Sequence, residues 1–117
     1  MNIEQFREYC INKKGVTEGF PFDKTTLVFK VMNKMFTLAS IENFTSCNLK
    51  CNPETALELR EKYESVKPGF HMSKKHWNTV NVNRDMDAQE LCKWIDHSYD
   101  LVVSGLTKKL KEELNNL

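Results

Sequence analysis

The segment from Pro68 to Val80 contains most of the side chains in this chain that could do chemistry. It reads PGFHMSKKHWNTV, and six polar or aromatic side chains stand close together in it: His71, Lys74, Lys75, His76, Trp77 and Asn78. Lysine supplies a positive charge for a phosphate, histidine and asparagine supply hydrogen bonds, and tryptophan supplies a face on which a base can stack. The combination indicates a surface that binds an anion such as a nucleic-acid backbone. The alternative is a hairpin with solvated lysines and a half-buried tryptophan.

The charge distribution favours a local basic patch over a basic protein. The chain carries 17 basic and 16 acidic side chains, so its net charge is only +1. Residues 67–84 nevertheless contain four basic side chains and no acidic one. A protein whose main task is tight, non-specific DNA binding is usually more basic overall. We therefore expect modest binding, confined to residues 67–84.

A metal site at the same histidines is not favoured. Zinc prefers histidine and cysteine ligands, and His71 and His76 could in principle join Cys47 and Cys51. The spacing matches no common ligand pattern, and two strand residues five positions apart face opposite sides of a sheet. We therefore expect no metal.

A catalytic site is not favoured either. His71 or His76 could act as a general base, with Ser73, Cys51 or Asp96 as assisting groups. A histidine near a serine is common by chance, and the chain has no G-x-S-x-G, P-loop or G-x-G-x-x-G motif. We therefore expect a protein that is not an enzyme and has no cofactor.

Two other motifs have simpler structural interpretations. Phe20-Pro21-Phe22 could form a lip over a ligand, but aromatic pairs in loops usually bury, so we expect both rings to close an edge of the core. His97 and Asp100 are three residues apart and can pair on one helix face. His97 could also face the sheet and meet residues 71–78, but a satisfied structural histidine is the favoured interpretation.

Hydrophobic periodicity predicts the element order α-β-β-β-α-β-β-α-α. The predicted helices cover residues 2–14, 53–63, about 87–104 and a short segment from 107; the predicted strands cover 27–31, 35–41, 46–51, 77–82 and part of 66–72. Residues 17–23 are expected to be a loop, because glycine and proline interrupt them. Strands joined by tight turns imply an antiparallel sheet with helices on one face. The expected fold is a two-layer α+β domain with about five strands.

Capping residues predict where three of the helices begin. Asn2 is followed three residues later by Gln5, which makes a capping box. Asn52 precedes a proline, which suits the first position of a helix. Asp85 or Asp87 should cap the longest helix, with Glu90 completing a capping box for Asp87.

Length and composition suggest one domain spanning residues 1–117. No apolar run approaches the ~20 residues that a membrane helix requires, so no membrane partner is expected. The N-terminal residues lack the basic stretch and apolar core of a secretory signal, which predicts a cytoplasmic location. The four cysteines are then expected to be reduced and partly buried.

The same segment also resembles a known family. Residues 68–80 look like the hallmark segment of the bacterial MmcQ/YjbR family. Further matches, in the same order along nearly the whole chain, are Gly15-Val16-Thr17-Glu18, Phe20-Pro21-Phe22, Leu27-Val28-Phe29-Lys30-Val31, Asn48-Leu49-Lys50-Cys51 and Asp96-His97-Ser98-Tyr99-Asp100-Leu101-Val102.

The resemblance implies a fold of the secretion-chaperone-like, CyaY-like type, with an antiparallel sheet and helices on one side. It also implies DNA binding through a double-wing arrangement. Carried over to this sequence, one wing would turn five residues towards DNA: Lys74, Lys75, His76, Trp77 and Asn78. Lys34, in the turn of the first hairpin, would belong to the second wing.

Two binding functions therefore stay open. The first is a nucleic-acid-binding module built on the basic segment. The second is a protein-interaction or small-ligand-binding module with no DNA role, favoured by the near-zero net charge. Its pocket would lie between the sheet and residues 71–78, lined by His71, Trp77 and Asn78, and would hold an anionic or planar ligand. A monomer is expected in either case.

Overall fold

The computed structural model describes residues 1–117 as four helices and one antiparallel sheet of six strands. The helices are α1 (Ile3–Ile11), α2 (Pro53–Lys62), α3 (Ala88–Ser104) and α4 (Lys108–Asn115). The strands are β1 (Val16–Gly19), β2 (Thr26–Val31), β3 (Lys34–Ser40), β4 (Ser46–Lys50), β5 (Val66–Pro68) and β6 (Trp77–Asn81). The strand order in the sheet is β1-β2-β3-β4-β6-β5. The predicted α+β class with an antiparallel sheet is confirmed.

The helices begin where the sequence places capping residues. Asn2 and Gln5 exchange side-chain and backbone hydrogen bonds in a full capping box. Asn52 accepts hydrogen bonds from the first turn of α2, and Asp87 accepts one from the backbone of Glu90. The expected reciprocal bond from Glu90 is absent, because its carboxylate instead accepts the indole N–H of Trp94.

The strand β1 differs from the sequence prediction, which made residues 17–23 a loop. Val16–Gly19 pairs antiparallel with β2, in the register Val16 to Val31. An edge strand of four residues needs only one partner and carries too few apolar positions to show a period of two. Pairing with an existing sheet edge therefore decides its structure, and the sheet has six strands where about five were expected.

The core lies between the helices and one face of the sheet. Alternate strand residues such as Phe29, Leu49 and Val80 are buried in one cluster with Phe6 of α1 and Ile95 of α3. Burying one such large apolar side chain contributes about 1.5–3 kcal/mol. The residues between them point to the opposite face of the sheet, which no helix covers; we call it the open face.

A bulge in β3 ties the sheet to α3. The register of β2 and β3 shifts between Phe29 and Lys30, which leaves Phe36 as an extra residue. Its carbonyl accepts a hydrogen bond of 2.5 Å from the fully buried hydroxyl of Ser98. The same hydroxyl accepts the backbone N–H of Lys50 at 2.9 Å. Ser98 thus satisfies two backbone groups that the sheet leaves unpaired, as buried polar groups require.

None of the four helices combines the length and the apolar character needed to cross a membrane.

Candidate nucleic-acid interface

The two expected wings lie at the same end of the sheet. The two-residue turn Met32–Asn33, with φ of 49° and 67°, joins β2 to β3. Residues 69–76, which we call the wing loop, join β5 to β6. Lys34 begins β3, Lys50 ends β4 and Trp77 begins β6. Because these strands pair antiparallel in that order, all three residues lie at the same end of the sheet. Three strand spacings separate the two connections, or roughly 14 Å.

The wing loop has a defined backbone structure. The N–H of Gly69 donates to the carbonyl of Trp77 at 2.9 Å, and the N–H of Trp77 donates to the carbonyl of Ser73 at 2.9 Å. The carbonyl of His76 accepts the N–H of Cys51 at 2.8 Å, which attaches the loop to the end of β4. A Cβ at Gly69 would come within 2.7 Å of the Trp77 Cβ, so this position needs glycine.

Four of the predicted contact residues are accessible. Lys74, Lys75, His76 and Lys34 are exposed. The Lys74 ammonium donates a hydrogen bond to the Gly69 carbonyl within the loop. None of the three lysines takes part in a salt bridge, so their charges are not neutralised by carboxylates of the chain. The turn and the wing loop therefore present free positive charge from one end of the sheet.

Trp77 and Asn78 are buried instead, with 8% and 2% of their surfaces exposed. The Asn78 Oδ1 accepts from the Arg60 Nε at 2.7 Å, and its Nδ2 donates to the Ala56 carbonyl at 3.3 Å. The Asn78 side chain thus joins β6 to α2, and neither it nor Trp77 is placed to contact a ligand in solvent. None of the five main surface depressions is lined by His71, Trp77 or Asn78.

Arg60 is the site residue that the sequence analysis missed. Besides Asn78, its guanidinium donates to the carbonyl of Lys74 and, at 3.3 Å, to that of Trp77. One side chain on α2 thus fixes both the wing loop and the first residues of β6. The sequence contains a signal for this role: Arg60 lies four residues after Ala56, and therefore on the same, buried side of α2.

The open face adds further positive charge beside the wing loop. Pairing places Lys50 opposite Trp77 and Lys67 opposite Thr79, and Lys30 lies two residues after Val28 on the same face. The strand residues that point to this face include no aspartate or glutamate. The basic area therefore extends beyond residues 67–84.

The four cysteines are free thiols, and three of them are buried. Desolvation raises the pKa of Cys51 to about 11, so this thiol is protonated and unreactive at neutral pH. Cys47 and Cys51 belong to the core cluster, whereas His71 and His76 are exposed on the wing loop. No group of three or more histidine, cysteine, aspartate or glutamate side chains is placed to hold a metal ion.

His97 is placed as a structural residue. Its Nε2 accepts the backbone N–H of Asn52 at 3.3 Å, at the start of α2, and its ring meets the edge of Trp94. Partial burial lowers the pKa of His97, and the charge of Asp100 opposes that shift only in part. The neutral imidazole is therefore the form that the fold favours, because only that form can accept a hydrogen bond.

This arrangement predicts a pH effect on stability. The unfolded state binds the proton more tightly than the folded state, so the stabilisation is fully present above the unfolded pKa of about 6.5 and declines as the pH falls below it. We expect His97→Gln, which keeps an acceptor but does not titrate, to lose less thermal stability than the wild type between pH 7.5 and pH 5. His76→Gln, at an exposed histidine, should keep the wild-type pH dependence. Equal curves for all three proteins would contradict this role of His97.

Comparison with known proteins gives a consistent set of relatives. The YjbR family model matches residues 11–101. The chain is 38% identical to the uncharacterized protein YbdF of Escherichia coli O157:H7 over 91 residues, which are 77% of this chain and 75% of that protein. It is 29% identical to the uncharacterized protein YjbR of E. coli K12, with both chains fully covered. It is 32% identical to the uncharacterized protein YyaQ of Bacillus subtilis, covering 84% of this chain and 95% of that one.

Solved structures share the fold. A crystal structure of a Deinococcus radiodurans protein superposes with a TM-score of 0.91 at 36% identity, covering 97% of this chain and 88% of that one. A crystal structure of a Pseudomonas syringae protein superposes with a TM-score of 0.72 at 29% identity, covering 86% of this chain and 98% of that one.

Proposed function

The chain belongs to the YjbR family, and we propose that it binds DNA through the phosphate backbone, at the end of the sheet that carries the wing loop and the first hairpin turn. Lys74, Lys75 and His76 supply the contacts from the wing loop, and Lys34, the first residue of β3 after the turn, supplies the contact from the other wing. Trp77 and Asn78 act as positioning residues that hold the wing loop in shape. Binding by phosphate contacts alone does not read the base sequence.

The observation that supports this proposal most strongly is the shared position of the two connections. They project from the same end of the sheet, roughly 14 Å apart. The major groove of B-DNA is about 12 Å wide, so two projections at this separation can contact the phosphates on both sides of one groove. Lys50 ends β4 between them and adds a cation at the same end.

The number of cations sets the expected strength of binding. If about four phosphates are contacted, the logarithm of the binding constant falls with the logarithm of the salt concentration with a slope near −3.6. Raising the salt from 50 mM to 200 mM should then weaken binding about 100-fold. A near-neutral protein with a few cations at one edge should thus bind duplex DNA measurably only at low salt.

Fluorescence anisotropy of a labelled random-sequence duplex tests this proposal. Titrations of the wild-type protein at 50, 100 and 200 mM salt should give saturable binding with a slope between about −3 and −5. A second random duplex should give the same affinity within a factor of two. Absence of binding at 50 mM salt, or a slope near zero, would contradict DNA binding by phosphate contacts.

A small anionic ligand is the second candidate, and one depression favours it. A cavity of about 210 Å³ lies between α2 and the wing loop, lined in part by Leu57, Arg60 and Lys75. Such a ligand would change the NMR signals of these residues and leave Lys34 on the opposite wing unaffected. DNA bound across both wings would change the signals of Lys34 and Lys75 together.

A further inference from the structure

We propose that the open face of the sheet binds single-stranded nucleic acid, with one base stacked on Phe70 of the wing loop and another on Phe20 at the opposite edge. The inference builds on the proposed function, because the lysines of the wing loop and the open face would hold the backbone of the same strand. What it adds is recognition of unpaired bases.

Phe70 is an exposed aromatic ring on a fixed backbone. Its side chain is 66% exposed. Its N–H donates to the Thr79 Oγ1 at 2.8 Å, and its carbonyl accepts from the Asn48 Nδ2 at 3.2 Å. Thr79 in turn donates to the Asn48 Oδ1 at 2.5 Å, so two mutually bonded side chains hold the Phe70 backbone over the open face. A ring on a fixed backbone loses less conformational freedom when it stacks on a base than a ring on a mobile loop does.

The neighbours of Phe70 reinforce this placement. The buried Gly69 precedes it, in a position with no room for a side chain. His71 follows with a positive φ of 59°, and its ring centroid lies 4.0 Å from that of Phe70. A positive φ is uncommon for residues other than glycine, although histidine adopts it more readily than most, and here it sets two exposed rings side by side.

The floor of the open face suits the edges and backbone of a single strand. A depression of about 410 Å³ lies beneath Phe70, and its floor carries hydroxyl and amide groups, among them Ser40, Ser46 and Asn81. These groups can donate hydrogen bonds to bases and accept them. Lys67 lines the same depression, Lys30 and Lys50 share the face, and no acidic strand residue points to it.

A second aromatic residue lies at the opposite edge of the face. Sequence reasoning placed the rings of Phe20 and Phe22 at an edge of the core, and this expectation is wrong: they are 46% and 66% exposed. Phe20 borders a depression of about 340 Å³ whose lining includes Val28 and Lys30. Glu18 also lines it, and its carboxylate forms a salt bridge with Arg7 at 2.7 Å. Three to four strand spacings separate this edge from Phe70, roughly 14–19 Å. A strand of a few nucleotides crosses that width, as in other proteins that combine a cationic groove with stacking side chains.

A protein partner fits this face less well. Protein interfaces have a continuous apolar centre, whereas the open face has separate aromatic rings around a polar, cationic floor. Separate exposed rings with lysines between them suit a ligand whose planar groups are linked by phosphates. The charge and the spacing of the aromatic residues therefore both favour a single strand.

Substitutions at Phe70 test the inference with labelled dT12 and rU12 oligonucleotides and a 12-base-pair duplex, all at 50 mM salt. We expect Phe70→Ala and Phe70→Leu to weaken single-strand binding roughly 5- to 100-fold, since stacking on one aromatic residue is lost. Phe70→Trp should retain wild-type binding, and duplex binding should change less than twofold in all three variants. Ile41→Ala removes an exposed apolar side chain that lines neither depression and serves as the control. Unchanged thermal unfolding would show that the variants are folded.

The outcomes separate this inference from the proposed function. Single-strand binding that depends on an aromatic residue at position 70 supports the inference, and the tighter of the two oligonucleotides identifies DNA or RNA as the ligand. The inference is overturned if Phe70→Ala leaves single-strand binding unchanged, or if poly-glutamate competes for the site as well as an unlabelled single strand does. Either result leaves the proposal of duplex binding intact. Binding of neither single strands nor duplex overturns both.

Discussion

Reversing the charges of Lys74 and Lys75 is expected to weaken duplex binding about 100-fold at 50 mM salt. When two phosphate contacts are lost, the slope of log K against log salt concentration becomes shallower by about 2. At this salt concentration each contact contributes about one order of magnitude in affinity. Both side chains are exposed, and neither forms a salt bridge that the substitution would break. Anisotropy titrations of Lys74→Glu/Lys75→Glu at three salt concentrations measure both effects.

The chain offers a matched control for this experiment. Lys108 and Lys109 are also adjacent and exposed, but they lie in the first turn of α4. Lys108→Glu/Lys109→Glu changes the net charge by the same amount and should weaken binding less than threefold, because these charges belong to neither wing. Equal losses in the two double variants would mean that binding follows net charge and not the wing loop.

A second pair of substitutions separates charge from loop structure. Lys74 also donates a hydrogen bond to the Gly69 carbonyl, so its replacement could disturb the wing loop. Lys34→Glu/Lys75→Glu keeps that bond and removes one cation from each wing. It should weaken duplex binding as much as the first double variant does. If the Lys34→Glu/Lys75→Glu variant bound the duplex with wild-type affinity, the two wings could not both contact the DNA.

Replacing Asn78 with leucine is expected to lower the free energy of unfolding by about 2–4 kcal/mol, since hydrogen bonds to charged groups contribute about 1.5–3 kcal/mol and a buried donor is left unpaired. Leucine is similar in size but can neither accept from the Arg60 Nε nor donate to the Ala56 carbonyl. The guanidinium would lose its 2.7 Å partner in a partly buried position. Chemical denaturation followed by Trp77 and Trp94 fluorescence measures the change.

The control for this variant lies on the same strand. Asn81→Leu makes the same chemical change at a half-exposed position on the open face, where the side-chain amide makes no hydrogen bond to the protein. It should cost less than about 1 kcal/mol. Asn78→Asp, which keeps the acceptor for Arg60, should fall between the two. If Asn78→Leu were as stable as Asn81→Leu, the network around Arg60 would not support the wing loop.

The sequence was most informative where a local rule decides the structure. Helix starts at Asn2, Asn52 and Asp87 follow from capping side chains that interact within one turn. The hairpin turn before Lys34 follows from two adjoining β-rich segments with asparagine between them. These features depend on neighbours along the chain, and they were predicted to within a few residues.

The rest depends on contacts between distant segments. β1 is a strand because it meets the edge of β2, and its own four residues carry no clear pattern. Asn78 was predicted to contact DNA because it is polar and adjoins Trp77. Its side chain instead lies in the interior, where it accepts a hydrogen bond from Arg60, 18 residues away in the sequence. Phe20 and Phe22 are exposed although aromatic residues usually bury, because the open face has no covering layer.

The most direct test of DNA binding by the wings is a map of the backbone amide signals by NMR as a 12-base-pair duplex is added at 20 mM salt. Shifts should concentrate at Lys34, Lys50 and the wing loop, leave Met1 and Asn83 at the opposite end of the sheet unchanged, and disappear at 500 mM salt. Shifts confined to Met1, Asn83 and their neighbours, or no shifts at 20 mM salt, would contradict binding by the wings.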